Sequence, residues 1–279
     1  MKIPFVKMHG IGNDYVYLDF FENQYPDIEW GDLAQKIAHR HFGVGGDGLV
    51  LILPGKETPV QMRMFNSDGS EAEMCGNAVR CIGGYVHNHG HFPEKNFQVQ
   101  TKAGLIGIEI QEDGLIKVDM GKPILKPTEI PINVDGDRVI DHPLEVEGFK
   151  GTFTGVSMGN PHAVFFLDKI ESLKLEQFGP LIEHHELFPN RINSEFIEIL
   201  SPKEVNFRVW ERGAGETWAC GTGAAASHVA GVMKGVLEEK VLFHLKGGDL
   251  ILETDENLSR VYIHGPYEEV AKGIYYYSS

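Results

Sequence analysis

Two cysteines of this 279-residue chain stand in matching surroundings, and they are the residues best placed to do chemistry. Cys75 lies in the stretch from Phe65 to Arg80, FNSDGSEAEMCGNAVR, and Cys220 in the stretch from Trp210 to Ala224, WERGAGETWACGTGA. In each, an aromatic residue (Phe65, Trp210) precedes the cysteine by ten positions and a polar, glycine-containing turn follows the aromatic. A glutamate (Glu71, Glu216) stands four positions before the cysteine, and Cys-Gly then opens a run of small residues with helical character. A cysteine that opens a helix meets unpaired N–H groups and the positive end of the macrodipole, so its thiolate forms readily, with pKa values in such settings of roughly 3.5–7.5. The same N–H groups suit a carboxylate. Two such turns at one carboxylate-bearing carbon suit inversion: a thiolate removes the α-proton from one face and a thiol returns a proton to the other. N–H donors around the carboxylate would stabilise the enediolate-like charge as it develops. No lysine Schiff-base motif or other electron-sink cofactor signature is evident, and neither a cofactor nor a metal is expected.

The elements that must position the cysteines are themselves repeated. The cysteines are 145 positions apart (220 − 75), and Gly159-Asn160 repeats Gly12-Asn13 at an offset of 147 (160 − 13), each before an apolar run. Two landmarks at nearly one offset indicate an internal duplication. In the first half, strands are expected over 3–8 and 15–20, a helix over 32–41, strands over 49–53 and 60–66, and a tightly packed helix from Gly76 to about Gly90. Strands follow over 96–101, 104–110, 114–119, 137–147 and 151–157, with a connection carrying Pro123, Pro127 and Pro131 between the halves. The second half reads as strand 163–167, helix 172–183, strands 194–200 and 203–211, the Cys220 helix to about 235, and strands 241–245, 249–253, 260–264 and 267–275. The fold class is α+β: two pseudo-repeated domains, 1–119 with the C-terminal strand 266–279, and 120–265. Each is a mostly antiparallel, strand-rich sheet or barrel around a central helix, with the active site expected in the cleft between them. The hexapeptide from Gly43 to Gly48, GVGGDG, matches a dinucleotide fingerprint only formally. It follows a helix and precedes a strand, the reverse of the required order, and reads as a connecting loop.

The formal net charge of −15 argues against nucleic acid or an anionic membrane as partner. The N-terminal stretch has no apolar signal region and no run is long enough to span a membrane, so a cytoplasmic location is expected. Three cysteines are too few for a disulfide framework, and Cys81, which lacks a repeat partner, reads as inert. The histidine run from His87 to His91 reads as a solvated turn rather than a metal site, and Arg80 as a helix-anchoring ion pair.

At this point the chain resembles the diaminopimelate epimerase family over its whole length. The resemblance rests on KMHGIGND from Lys7 to Asp14, NSDGSEAEMCGN from Asn66 to Asn77 with Arg80, and MGNPH from Met158 to His162. It continues in RIN from Arg191 to Asn193, ERGAGE from Glu211 to Glu216, and ACGTG from Ala219 to Gly223. It implies strands wrapped around a central helix in each half and cofactor-independent interconversion of LL- and meso-diaminopimelate for lysine and peptidoglycan synthesis. Cys75 and Cys220 match the family's acid/base cysteines. Glu211 and the backbone near Arg212 would hold the reacting α-ammonium, and the N–H groups of Gly76, Asn77, Gly221 and Thr222 the adjacent carboxylate. Asn66, Asn160, Asn193 and the Arg212 side chain would read the distal end, while Asn13 and His162 would line the site. Gly48 stands where some members carry a larger polar residue, and Trp218 is bulkier than is common at its place. The expected partner is the small-molecule substrate, with a homodimer left open. Two other readings stand beside this one. A proline-type racemase or dehydratase would have no use for Arg212 and the asparagines, and a non-catalytic amino-acid-binding module would lose no activity on removal of the cysteines.

Overall fold

The computed structural model describes residues 1–278, which form two compact units: Met1–Val118 together with the chain from Gly265 onward, and Asp119–His264. In the first, β1 (Lys2–Gly10) and β2 (Asn13–Asp19) make an antiparallel hairpin. Helix α1 (Trp30–Ala38) then leads to β3 (Gly48–Pro54), parallel to β2 and antiparallel to β4 (Val60–Asn66). A two-residue strand, β5 (Glu71–Ala72), folds back on β4. Helix α2 (Gly76–Asn88) carries the chain to β6 (Asn96–Thr101), parallel to β4, and β7 (Gly104–Ile110) and β8 (Ile116–Asp119) follow antiparallel.

The second unit repeats this order. β9 (His142–Val146) pairs with β10 (Phe149–Ser157), which forms a hairpin with β11 (Pro161–Phe166). Helix α3 (Leu175–Glu183) leads to β12 (Asn193–Ser201), parallel to β11, and then β13 (Glu204–Glu211) and the short β14 (Gly215–Glu216) run antiparallel. Helix α4 (Gly221–Met233) leads to β15 (Lys240–Leu245), parallel to β13, then to β16 (Gly248–Thr254) and β17 (Val261–Gly265). The last strand, β18 (Glu268–Tyr276), lies antiparallel along β1, the place that β9 fills on β10. Each unit is thus a mostly antiparallel sheet with parallel pairs only where a helix makes the crossover, because parallel neighbours need a long connection.

The central helices are buried almost all round: every residue from Gly76 to Val86 in α2, and Gly221 and 223–231 in α4. A helix without a polar face belongs inside a core. In α2 the expected glycine face is present, with Gly83 against Ile108 and Gly84 against the Tyr267 ring. In the second unit Phe149, Phe153, Phe165, Phe178 and Phe196 form an aromatic core beside α3, Phe165 stacking on Phe196 at 5.4 Å between ring centres. Leu33 and Ile37 of α1 do the same work in the first unit against Val16, Leu49 and Leu51.

Several expectations shift. The first helix ends at Ala38 because His39 turns to extended backbone (ψ 118°). The strand expected over 137–147 begins only at His142, since Asp141 takes a left-handed conformation (φ 51°) that breaks the extended run. The histidine run is not a solvated turn. His89 bonds Glu269 at 2.8 Å, and His91 bonds the buried Asp19 at 3.0 Å. No helix among the described residues is long and apolar enough to cross a membrane.

Candidate active site

In the first unit Cys75 is the N-cap of α2, in extended conformation, and its carbonyl accepts the Val79 N–H at 2.9 Å to start the helix. The Cys75 side chain makes no capping hydrogen bond to the helix N–H groups, and the first turn has no acidic residue. The leading N–H groups, those of Gly76 and Asn77 among them, therefore lack intrahelical partners and face no built-in anion. The Cys75 thiol donates to Asn13 Oδ1 at 3.3 Å, and Asn77 Nδ2 donates to the same oxygen at 3.3 Å. Asn13 is aimed from behind by Asp47 Oδ2, which accepts its Nδ2–H at 2.7 Å and the Asp14 N–H at 3.1 Å. Arg40 bridges Asp47 and Asp14 at 2.8 Å each, and Lys7 meets Asp14 at 2.7 Å. These two cations hold the Asp14 carboxyl below the usual carboxylate range despite its burial, while burial and the Asp14 charge push Asp47 up.

The glycine-rich loop therefore has a purpose that its composition hides: it delivers Asp47 to Asn13. Asp47→Ala removes the acceptor that fixes the Asn13 amide. We expect about a 10²-fold loss of kcat/KM, the scale of a 1 Å misplacement, with the folded spectrum by circular dichroism unchanged. Asn66, at the end of β4, bonds Ser70 Oγ at 3.0 Å and lies opposite Gly48 in the β3–β4 ladder. Gly48 has no room for a larger side chain, because a Cβ there would lie 2.1 Å from the Phe65 carbonyl oxygen.

In the second unit Cys220 caps α4 in the same manner, with no acidic residue in the first turn and the Ala224 N–H on its carbonyl at 3.0 Å. Its surroundings differ. Cys220 is 4% exposed and its sulfur stands 3.6 Å from Thr222 Oγ1. A Cβ on Gly223 would lie 2.8 Å from Glu195 Oε1 and 3.2 Å from the Cys220 sulfur, so only glycine lets this carboxylate and this thiol approach the helix start together. Burial, with the Glu211 and Glu195 charges behind it, pushes the Cys220 thiol well above its ordinary value. The readily formed thiolate expected from helix position alone does not hold at Cys220, where desolvation and two carboxylates outweigh the macrodipole.

Asn160, His162 and Glu195 form a chain, His162 bonding Asn160 Oδ1 at 3.0 Å and Glu195 Oε1 at 2.7 Å. Asn193 accepts the Arg212 N–H at 2.9 Å and donates to the Pro161 carbonyl at 2.9 Å. The Arg212 side chain is exposed and rests on the Asn190 carbonyl at 2.9 Å, while Thr217 donates to Glu211 Oε1. Trp218 is 58% exposed. The structure thus groups Asn13, Cys75, Gly76 and Asn77 in one unit, and Asn160, His162, Asn193, Arg212, Cys220, Gly221 and Thr222 in the other.

Sequence reasoning passed over Asp47, Glu195, Glu183 and the pair Arg63 and Arg208. Glu183 takes the Trp210 indole N–H and the Gly213 N–H at 3.0 Å each, which fixes the loop bearing Arg212. Arg63 bonds Glu71 at 2.7 Å and Arg208 bonds Glu216 at 2.9 Å, so the repeated glutamates anchor the turns that lead to the cysteines. The pairs share the repeat offset of 145 (208 − 63 and 216 − 71), a signal the sequence did contain.

Known proteins resemble the chain throughout. A family model described as diaminopimelate epimerase matches residues 5–126 and 154–270. A diaminopimelate epimerase of Carboxydothermus hydrogenoformans is 52% identical over 98% of this chain and 100% of its own length. One of Acetivibrio thermocellus is 51% identical over 96% and 97%. Among solved structures, a PhzF-family phenazine biosynthesis protein of Bacillus anthracis superposes with a TM-score of 0.67 at 17% identity, covering 98% of this chain and 99% of that one. That likeness is one of fold.

Proposed function

The chain belongs to the diaminopimelate epimerase family, and from that premise we propose that it interconverts LL- and meso-diaminopimelate by proton exchange at the α-carbon between two cysteines. The carrying observation is the duplicated helix start: a cysteine N-cap with no acidic residue in the turn that follows, once in each unit. In this reading the N–H groups of Gly76, Asn77, Gly221 and Thr222 hold the α-carboxylate, where developing enediolate charge gains most from fixed donors. Glu211 holds the α-ammonium, a carboxylate being the natural counter-ion. Asn66, Asn160, Asn193 and the Arg212 guanidinium read the distal amino and carboxylate groups. Asn13 and His162 position the cysteine ends, one through Cys75 and the other through Glu195. One thiolate accepts the α-proton and the other cysteine, as thiol, donates its proton to the opposite face, which regenerates the pair with the charges exchanged. The reading carries with it a cytoplasmic site of action, a small-molecule substrate without nucleic-acid or membrane partners, and a homodimer.

Incubation of reduced, chelator-treated protein with LL-diaminopimelate in deuterated water should give meso product bearing deuterium at the inverted α-carbon. Absence of both isomerisation and exchange would overturn the reading. Arg212→Met tests the distal contacts: loss of a charged hydrogen bond worth about 1.5–3 kcal/mol raises KM by roughly 10- to 150-fold and leaves kcat nearly unchanged. A fall in kcat alone would move Arg212 to the reacting end.

A further inference from the structure

Arg80 is fully buried in α2, 0% exposed, and makes no ion pair with a carboxylate among the described residues. Its Nε donates to the Pro266 carbonyl at 2.8 Å, while Nη1 and Nη2 are buried without a hydrogen-bond partner among the described residues. The ion pair expected from the sequence is therefore absent at this residue. The guanidinium lies against Gly10: a Cβ there would stand 2.4 Å from Nη2 and 3.3 Å from Asn77 Cβ. Gly10 pairs with Asn13 across the β1–β2 hairpin, and Asn13 Oδ1 is the atom that accepts the Cys75 thiol. The cation thus lies against the strand residue that pairs with Asn13, the residue on which the Cys75 thiol rests. Burying an unpaired cation is costly unless an anion faces it.

Resting on the two-cysteine reading above, we propose that Arg80 is a positioning residue for Cys75, its buried guanidinium serving as the countercharge of the Cys75 thiolate. The neighbouring groups leave no other anion for it. From β2, Tyr15 and Tyr17 are held protonated by burial, and Cys81 of α2 itself is pushed up to about 11 by burial. From β1, Lys7 is spent on Asp14 at 2.7 Å, and His9 faces Glu268 at 3.6 Å. In the glycine-rich loop, Asp47 shares its charge with Arg40 at 2.8 Å. β7 presents the apolar Ile108. Among the described residues that act on Arg80, Cys75 remains as the acid whose charge can face it. Burial pulls the Arg80 guanidinium down from its usual value, and a negative charge at Cys75 opposes that pull.

The second unit reverses the arrangement. Ala225 stands at the place of Arg80 (80 + 145), and the buried Glu195 at the place of Val50 (50 + 145). One copy of the repeat carries an unshared cation beside its cysteine; the other carries a carboxylate. The resting enzyme accordingly holds Cys75 as base and Cys220 as acid.

The test is a pH titration of the cysteine β-carbons by NMR in protein labelled with 13C-cysteine, unaltered and as R80M and R80K. In the unaltered protein the Cys75 signal should titrate at lower pH than that of Cys220. R80M should raise the Cys75 midpoint by about one pH unit or more, a tenfold loss of thiolate at a given pH, and leave Cys220 in place. R80K should restore most of the shift, and the acidic limb of kcat/KM should move with the Cys75 midpoint. Coincident midpoints in the unaltered protein would overturn the inference, as would an unmoved Cys75 midpoint in folded R80M. Should R80M not fold, the unaltered protein and R80K decide between the same outcomes. The titration needs no turnover, so an inactive chain could still show the shift, and an active one with coincident midpoints would remove Arg80 alone.

Discussion

Cys75→Ala and Cys220→Ala should each lower the conversion of LL-diaminopimelate to the meso isomer by about 10³- to 10⁴-fold, the range lost when a positioned acid or base is removed. Neither substitution should unfold the chain. The side chains cap their helices without a capping hydrogen bond, so the change deletes a sulfur and leaves the N–H groups of the first turn in place. Affinity for the substrate should therefore survive in both variants, within a few-fold by calorimetry. A protein that merely binds amino acids would retain affinity too, but it would have no turnover to lose. The two variants should also differ from each other in deuterated water. Each keeps one cysteine and can exchange the α-proton on one face only, so solvent deuterium should enter one stereoisomer in Cys75→Ala and the other in Cys220→Ala, without inversion. A variant that kept a tenth of the isomerisation rate would remove its cysteine from the chemistry.

Phe196→Ala should destabilise the second unit by about 3–5 kcal/mol, the cost of emptying a phenylalanine site in a packed core. Phe196 is 0% exposed, stacks on Phe165 at 5.4 Å, and meets Phe149 and Phe178 edge-on at 5.7 and 5.6 Å. The residue sits on β12 just after two that the site uses. Ile192 and Phe196 belong to the aromatic core, while Asn193 and Glu195, on the alternate positions, bond Arg212 and His162. Because strand side chains alternate, loss of the anchor that sets the strand's register threatens the polar face directly. Urea unfolding followed by tryptophan fluorescence is the suitable measure, since Trp210 packs on this same core. The transition should separate from that of the first unit, and a midpoint shift worth less than about 1 kcal/mol would show that the ring stack does not hold the strand.

Much of this organisation was legible because duplication writes the same message twice. The Cys-Gly turns and the Gly-Asn hairpin starts gave the repeat, and glycine spacing gave the buried α2. What stayed hidden depends on contacts between residues far apart in sequence. Asp47 looks like a loop residue until the fold sets its carboxylate 2.7 Å from Asn13. Glu195 interrupts an otherwise plain strand, and nothing local reveals that it shares the Cys220 helix start. Arg80 reads in the sequence as a helix-anchoring ion pair, and only the packing of Gly10 and Pro266 around it shows that it is enclosed without an acidic partner among the described residues. The short strands β5 and β14 are too brief for any periodicity and exist because Arg63 and Arg208 clamp the glutamates on them.

The pairing of β1 with β18 orders events during synthesis. Residues Lys2–His9 find their outer partner only in Glu268–Tyr276, whereas β10 meets β9 a few residues away. On the ribosome the half made second can close its sheet first, while the half made first keeps a bare strand edge until translation has passed residue 276. A transcript cut short before β18 would leave that edge open to a neighbouring nascent chain, so premature termination should yield aggregates rather than a trimmed but working enzyme.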